Sequence, residues 1–193
     1  MLAKITDILN GFREKLTSYI GTISSDHAYI HKGIAFSVVG LTGSITAGGT
    51  YKIAFKTPKA DALDNEGQNY IHWRPSDVGG TATGVTAELY EWSSATGTDV
   101  IPFCRNRNIS KKSKMQQFLI AATVTEGTRI AIINSGTAGA GAANKGGGGG
   151  AEHELLLKPD TVYSITLTNR SGSTATLISY ELYWYEEDGY KPS

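Results

Sequence analysis

A strict two-residue alternation near the C-terminal end constrains this chain more than any other feature. In the block Glu152 to Glu187, Tyr163, Ile165 and Leu167 alternate with Ser164, Thr166 and Thr168. Further on, Ile178, Tyr180, Leu182 and Trp184 take one parity while Ser179, Glu181, Tyr183 and Tyr185 take the other. A period of two places one set of side chains on a buried face and the other on the opposite face of a strand. Aromatic and β-branched residues suit such a pleated surface. Lys158-Pro159-Asp160 and Asn169 to Ser173 supply the turn chemistry that divides the block into three strand-like runs.

Earlier segments extend the same material. His27 to Val39 alternates and reads as a strand, with a possible interruption at Gly33. Tyr51, Ile53 and Phe55 alternate with Lys52, Ala54 and Lys56 until Pro58 stops the run. A polar loop from Lys59 to Gln68 precedes the short run Asn69 to Pro75. Thr83 to Trp92 carries large apolar groups on both parities, as a central strand does. Residues 93–116 read as loop. Phe118 to Val124 and Arg129 to Asn134 read as a strand pair divided by a compact turn at Glu126-Gly127. From 135 to 151 the chain is nearly all small residues, ending in five consecutive glycines at 146–150. Such a tract loses too much entropy on ordering to serve as core. It reads as a long insertion, either a loop or an arm pinned by a neighbour. Eight or nine strands with no helical pattern after residue 25 predict an all-β fold, an antiparallel jelly-roll-like sandwich or barrel occupying 24–193.

Residues 1–23 are different. Leu2, Ile5, Leu9, Phe12, Leu16, Tyr19 and Ile23 recur at alternating steps of three and four, an a/d heptad pattern. Two structures satisfy it: an amphipathic helix lying on its own domain or a partner, or a short coiled coil on an oligomer axis. A helix of this length is marginal alone, and Gly11 weakens it further, so packing must hold it. Anchoring or oligomerisation is the expected use.

Formal net charge is zero across 193 residues, which argues against a dedicated nucleic-acid binder. One cysteine, Cys104, excludes an intrachain disulfide framework. No apolar run reaches the ~18 residues of a membrane-spanning helix, and the acid-bearing start does not read as a signal peptide.

The residues offer little chemistry of a catalytic kind. His27 and His31 share a face if extended, but four strand residues span about 13 Å, too far for one metal unless the strand bends. His72 stands beside Trp73, and His153 lies between Glu152 and Glu154. These histidines predict no metal site. Glu88, Glu91, Glu181 and Asp160 are scattered, and none can be selected as an acid–base pair. The nucleophile-elbow, zincin, phosphate-loop and dinucleotide motifs are absent from the sequence. Cys104 lacks an evident base partner and reads as a buried or incidental thiol. No cofactor is expected. Arg105, Arg107, Lys111, Lys112 and Lys114 place five positive charges in ten residues without an acid. That stretch reads as an assembly contact for an acidic protein surface, as a solvated loop, or as a nucleic-acid contact. Tyr183, Tyr185 and Tyr190 look exposed and suit sugar or protein contact, or equally cover the second face of a terminal strand inside a trimer.

Several segments together resemble a known family. They are SSDHAYIHKGIAF (24–36), TYKIAFKTP (50–58), NYIHW (69–73), FCRNRN (103–108), and the glycine tract running through GGGGGAEHELLLKPDTVYSITLTNRSG (146–172) into SYELYWYEE (179–187). Each is weak alone; in combination they resemble tailed-phage virion proteins found among head genes, capsid decoration or accessory proteins. The resemblance covers roughly residues 24–187. It implies a non-enzymatic, trimeric β-rich knob, assembled in the host cytoplasm and fixed to the major capsid protein or another virion protein, with no catalytic residues to carry over. A head-fibre or tail-associated protein binding a receptor or glycan is the alternative reading.

Overall fold

The computed structural model describes residues 25–59, 70–74, 77–81, 84–135 and 154–187. The N-terminal heptad (Leu2 to Ile23), the glycine tract and Tyr190 lie outside them. Among the described residues the chain forms one short helix, α1 (Ser25–His31), and twelve strands. The strands are β1 (Ala35–Leu41), β2 (Thr50–Lys56), β3 (Tyr70–Trp73), β4 (Asp77–Gly80), β5 (Val85–Glu91) and β6 (Ser94–Asp99). They continue as β7 (Phe103–Cys104), β8 (Gln117–Thr125), β9 (Thr128–Ser135), β10 (Leu155–Leu157), β11 (Val162–Asn169) and β12 (Ile178–Glu187).

Two antiparallel sheets pack as a sandwich, as the alternation predicts. The first has the order β10-β3-β12-β1-β7, with β4 pairing the other half of β12 beyond β3. The second has the order β6-β8-β2-β11-β5-β9. The three runs of the C-terminal block therefore do not lie side by side. β11 sits at the centre of the second sheet, whereas β10 and β12 belong to the first. The Lys158 to Asp160 turn carries the chain from one sheet to the other, with Asp160 in the left-handed region at φ 46°. The glycine-rich segment joins β9, an edge of the second sheet, to β10, an edge of the first. It does not connect two strands of one sheet.

The inner faces meet in an aromatic stack. Phe55 lies 4.6 Å from Trp73 across the sandwich and 5.6 Å from both Phe118 and Tyr163 within its own sheet. Trp184 closes the set against Phe118, Trp73 and Phe36 at 5.7, 5.8 and 6.3 Å. All of these rings are buried. Each contributes about 1.5–3 kcal/mol by leaving water, and offset stacking adds to that. Gly40 of β1 faces Tyr180 of β12, and a Cβ there would collide with the Tyr180 ring.

Three local readings are corrected by the structure. His27 to Val39 is not one strand. Ser25–His31 is helical, and Gly33 at φ 67° ends it. The Ile34 amide reaches the Tyr29 carbonyl at 3.2 Å and the Gly33 amide reaches Ile30 at 3.0 Å, a glycine-capped helix end. Only then does β1 begin. Residues 93–116 are not all loop, since they contain β6 and β7. Asp77–Gly80 forms β4 against β12.

The third correction concerns β8 and β9, which are not a hairpin. β9 pairs β5, while β8 pairs β6 and β2. Chain continuity through Trp92-Ser93 on one side and Glu126-Gly127 on the other makes these four strands a single bent ribbon. One end of the ribbon flanks β11 and the other flanks β2, so the second sheet curls. The corner is packed tightly. Trp92 adopts φ 61°, and a Cβ on Gly127 would overlap the Glu91 carbonyl oxygen. Ser93 meets Ser164 hydroxyl to hydroxyl at 2.8 Å, and Glu126 accepts from Thr166 at 2.6 Å and Lys52 at 2.8 Å. Those bonds to Lys52 and Thr166 outweigh the effect of burial and hold the Glu126 carboxyl below the usual range.

Candidate protein interface

The outer face of the first sheet gathers the chemistry that the sequence disperses. Because Ile178, Tyr180, Leu182 and Trp184 point into the core, Glu181, Tyr183 and Tyr185 must point outward. Strand register then sets their neighbours. Tyr185 lies opposite His72 on β3 and Ala35 on β1; Tyr183 lies opposite Ser37, which in turn lies opposite Phe103 on β7. Tyr29 from α1 stacks on Tyr185 with ring centroids 4.0 Å apart, and His72 stacks on it at 4.3 Å.

Three guanidinium groups cover three of these rings. Arg74 lies 5.5 Å from the Tyr185 ring, Arg105 lies 5.2 Å from Tyr183, and Arg107 lies 5.5 Å from Phe103. Each distance is within the range of cation–π attraction. Arg105 also approaches Glu181 at 3.9 Å.

Glu154, at the entry to β10, ties the cluster together. One of its oxygens accepts from the Tyr185 hydroxyl at 2.5 Å and from His72 Nδ1 at 2.6 Å; the other pairs with Arg74 Nε at 3.2 Å. Burial alone would raise the Glu154 carboxyl, but the hydrogen bonds from Tyr185 and His72 and the charge of Arg74 bring it below its ordinary value. Tyr185 moves the other way. Its burial and its bond to a carboxylate push the phenol far above the ordinary tyrosine range.

The basic stretch is attached to this face. Arg105 and Arg107 lie on aromatic rings, Lys111 and Lys112 are exposed, and Lys114 is half-buried. The Lys114 amide and the Ser113 hydroxyl both donate to Glu186, at 2.9 and 2.5 Å. The stretch is therefore anchored at one end and laid on rings at the other, while residues 107–112 are exposed. The heptad residues Leu2, Ile5, Leu9, Phe12, Leu16, Tyr19 and Ile23 lie outside the described residues.

The remaining candidates are placed as follows. Cys104 is buried on β7 opposite Phe36. Glu88 pairs with Arg129 at 2.6 Å, Glu91 with Lys158 at 3.0 Å and Asp160 with Lys56 at 2.9 Å. His27 and His31 are not about 13 Å apart, because the helix brings their Nε2 atoms to 2.9 Å. Among the described residues no group of three or more His, Cys, Asp or Glu side chains is placed to hold a metal. No described helix is long and apolar enough to cross a membrane.

Sequence reasoning did not find the cluster of Tyr29, His72, Arg74 and Glu154. His72 and Glu154 are 82 residues apart, and only the β3–β10 pairing joins them. Tyr185, which looked exposed, is 6% exposed, since Tyr29 and His72 stack on it.

The cleft between Tyr29, Arg74, Arg105, Tyr183 and Tyr185 has a volume of about 10 Å³. That is room for one water at most. Farther along β1 the same face carries Val39 and Leu41, 54% and 62% exposed. A shallow surface with arginine over aromatic rings and an apolar flank has the composition of a protein interface rather than a small-molecule pocket. Comparison with protein-family models, curated proteins and solved structures found no match. The likeness to phage virion proteins therefore rests on the sequence motifs.

Proposed function

We propose that this chain is a non-enzymatic structural protein of a phage virion, a decoration protein that binds the assembled capsid and stabilises it. The observation that carries the reading is the arginine-on-aromatic face of the first sheet. Its Arg105 and Arg107, with exposed Lys111 and Lys112 beside them, suit an acidic surface on the major capsid protein. The apolar flank of Val39 and Leu41 adds area to be buried on contact. A protein that binds the assembled shell better than its free subunits shifts the equilibrium toward the shell by mass action. In this reading the chain is a homotrimer, and each knob presents its outer face to the lattice.

The test is co-sedimentation with expanded capsids in parallel with unassembled capsid protein. The wild-type chain is expected to pellet stoichiometrically with capsids, and the Arg105→Glu/Arg107→Glu double variant to lose at least about tenfold in affinity. Equal pelleting of wild type and variant would remove this face from the contact. A wild-type chain that ignores capsids would defeat the decoration reading.

One observation favours the alternative of a receptor- or glycan-binding virion protein. Trp92 is 60% exposed at the ribbon corner, with Lys158 Nζ 5.2 Å from its ring and Glu91 bonded to that lysine. Saturable binding to a host-surface sugar, abolished in Trp92→Ala, would support it over decoration.

A further inference from the structure

We propose that His27 and His31 form a two-imidazole chelate for a divalent transition ion of tetragonal preference, Cu(II) or Ni(II). The argument begins with the helix. Residues four apart lie on one face of an α-helix, and α1 holds the two Nε2 atoms 2.9 Å apart with the rings 63° from coplanar. Both side chains are exposed, so an ion reaches them without opening the fold.

The spacing brings both rings within reach of one ion. With metal–nitrogen bonds of about 2.0–2.1 Å, two ligands at a right angle lie about 2.9 Å apart, and two at the tetrahedral angle about 3.3 Å. In the metal-free protein the 2.9 Å separation is a hydrogen bond between the rings, which a shared ion replaces when the rings turn toward it; nitrogen donors of this kind favour Cu(II), and then Ni(II), in the general order of divalent affinities. Neutral imidazole suits both. No third His, Cys, Asp or Glu joins the pair among the described residues.

The consequence is local. An isolated helix of seven residues is far below the length that is stable in water. α1 is held by Tyr29 on Tyr185 and by the Asn106 side chain, which donates to the His31 carbonyl at 3.2 Å. A chelated ion adds a cross-link over one helical turn. It thereby fixes the helix that leads from residues 1–24 into the sandwich.

The experiment is titration of the full chain, free of any affinity tag, with Ni(II) alone by calorimetry, alongside His27→Ala and His31→Ala. The wild type is expected to take up one equivalent and melt at a higher temperature with the ion present. Because the second imidazole binds within the same molecule, each single variant is expected to lose about a hundredfold in affinity. With Cu(II), paramagnetic resonance should show two coordinated nitrogens in the wild type. Near-ultraviolet dichroism of each variant, matched to wild type, shows that the sandwich is intact. Failure of the wild type to bind one equivalent saturably, or undiminished binding by both variants, would overturn the site.

Discussion

Trp184 and Glu186 lie two residues apart on β12 and share one hydrogen bond inside the protein: the indole Nε1 donates to the Glu186 carboxylate at 2.9 Å. The same carboxylate receives Ser113 and Lys114, so a core tryptophan and the basic segment share a buried anchor. Glu186→Ala leaves these donors without an acceptor. It is expected to cost about 2–4 kcal/mol, since hydrogen bonds to a buried charge contribute about 1.5–3 kcal/mol each and water recovers part of the loss. Chemical denaturation measures that loss. Hydrogen exchange should show the Lys114 and Met115 amides losing protection first.

Acid should weaken the fold through two carboxylates. Glu154 and Glu126 both titrate below the usual range in the folded protein. A depressed carboxyl contributes stability that is fully present above its unfolded pKa and is lost as pH falls through the folded value. Melting temperature should therefore decline as pH drops below the ordinary glutamate range, near ~4.3. Glu154→Gln should flatten part of that decline; an unchanged profile would mean that the bonds from Tyr185 and His72 do not favour the charged form.

Alkali should act through buried phenols. Burial raises Tyr180, Tyr163 and Tyr185, with Glu154 adding to the effect on Tyr185. A raised phenol pKa contributes stability that is complete below the unfolded value of about 10 and is lost as pH climbs toward the folded value. Absorbance titration is expected to show these three tyrosines ionising late, together with unfolding. Early reversible ionisation of all the tyrosines would contradict the packing around β12.

Backbone strain on the ribbon is separable from packing. Ala121 holds φ 47° within β8, close to the bulge where the β6 register slips between Thr96 and Thr98. The left-handed region costs a residue with Cβ about 1–2 kcal/mol, while glycine loses about 0.5–1 kcal/mol in unfolded-state entropy. Ala121→Gly should be neutral or stabilise by up to about 1 kcal/mol. Gly127→Ala at the corner should do the reverse and destabilise by about 1–3 kcal/mol, because the added Cβ meets the Glu91 carbonyl. Equilibrium unfolding of the two variants decides both.

How much of this was legible follows from where each signal resides. β2, β11 and β12 were readable because their large apolar side chains fall on one parity, although β11 buries Ser164 and Thr166 of the other parity as well. α1 was not. Seven residues, Ser25 to His31, satisfy a strand parity as easily as two helical turns, and the capping role of Gly33 emerges only with the backbone angle. The Glu126-Gly127 step resembles a hairpin turn in composition, yet at that point the chain changes partners from β6 to β5. Of the interface, Arg105, Arg107 and Tyr183 were legible as charge and aromatic content. Tyr29, His72, Arg74 and Glu154 were not, because their meeting depends on strand order, which no local pattern encodes.

Electron cryomicroscopy of phage particles, searched for density of this chain, tests the proposed capsid role most directly. The account predicts density for the sandwich repeated over the capsid lattice, with the Arg105–Tyr183 face toward the shell. Density confined to a tail or a fibre tip would contradict it.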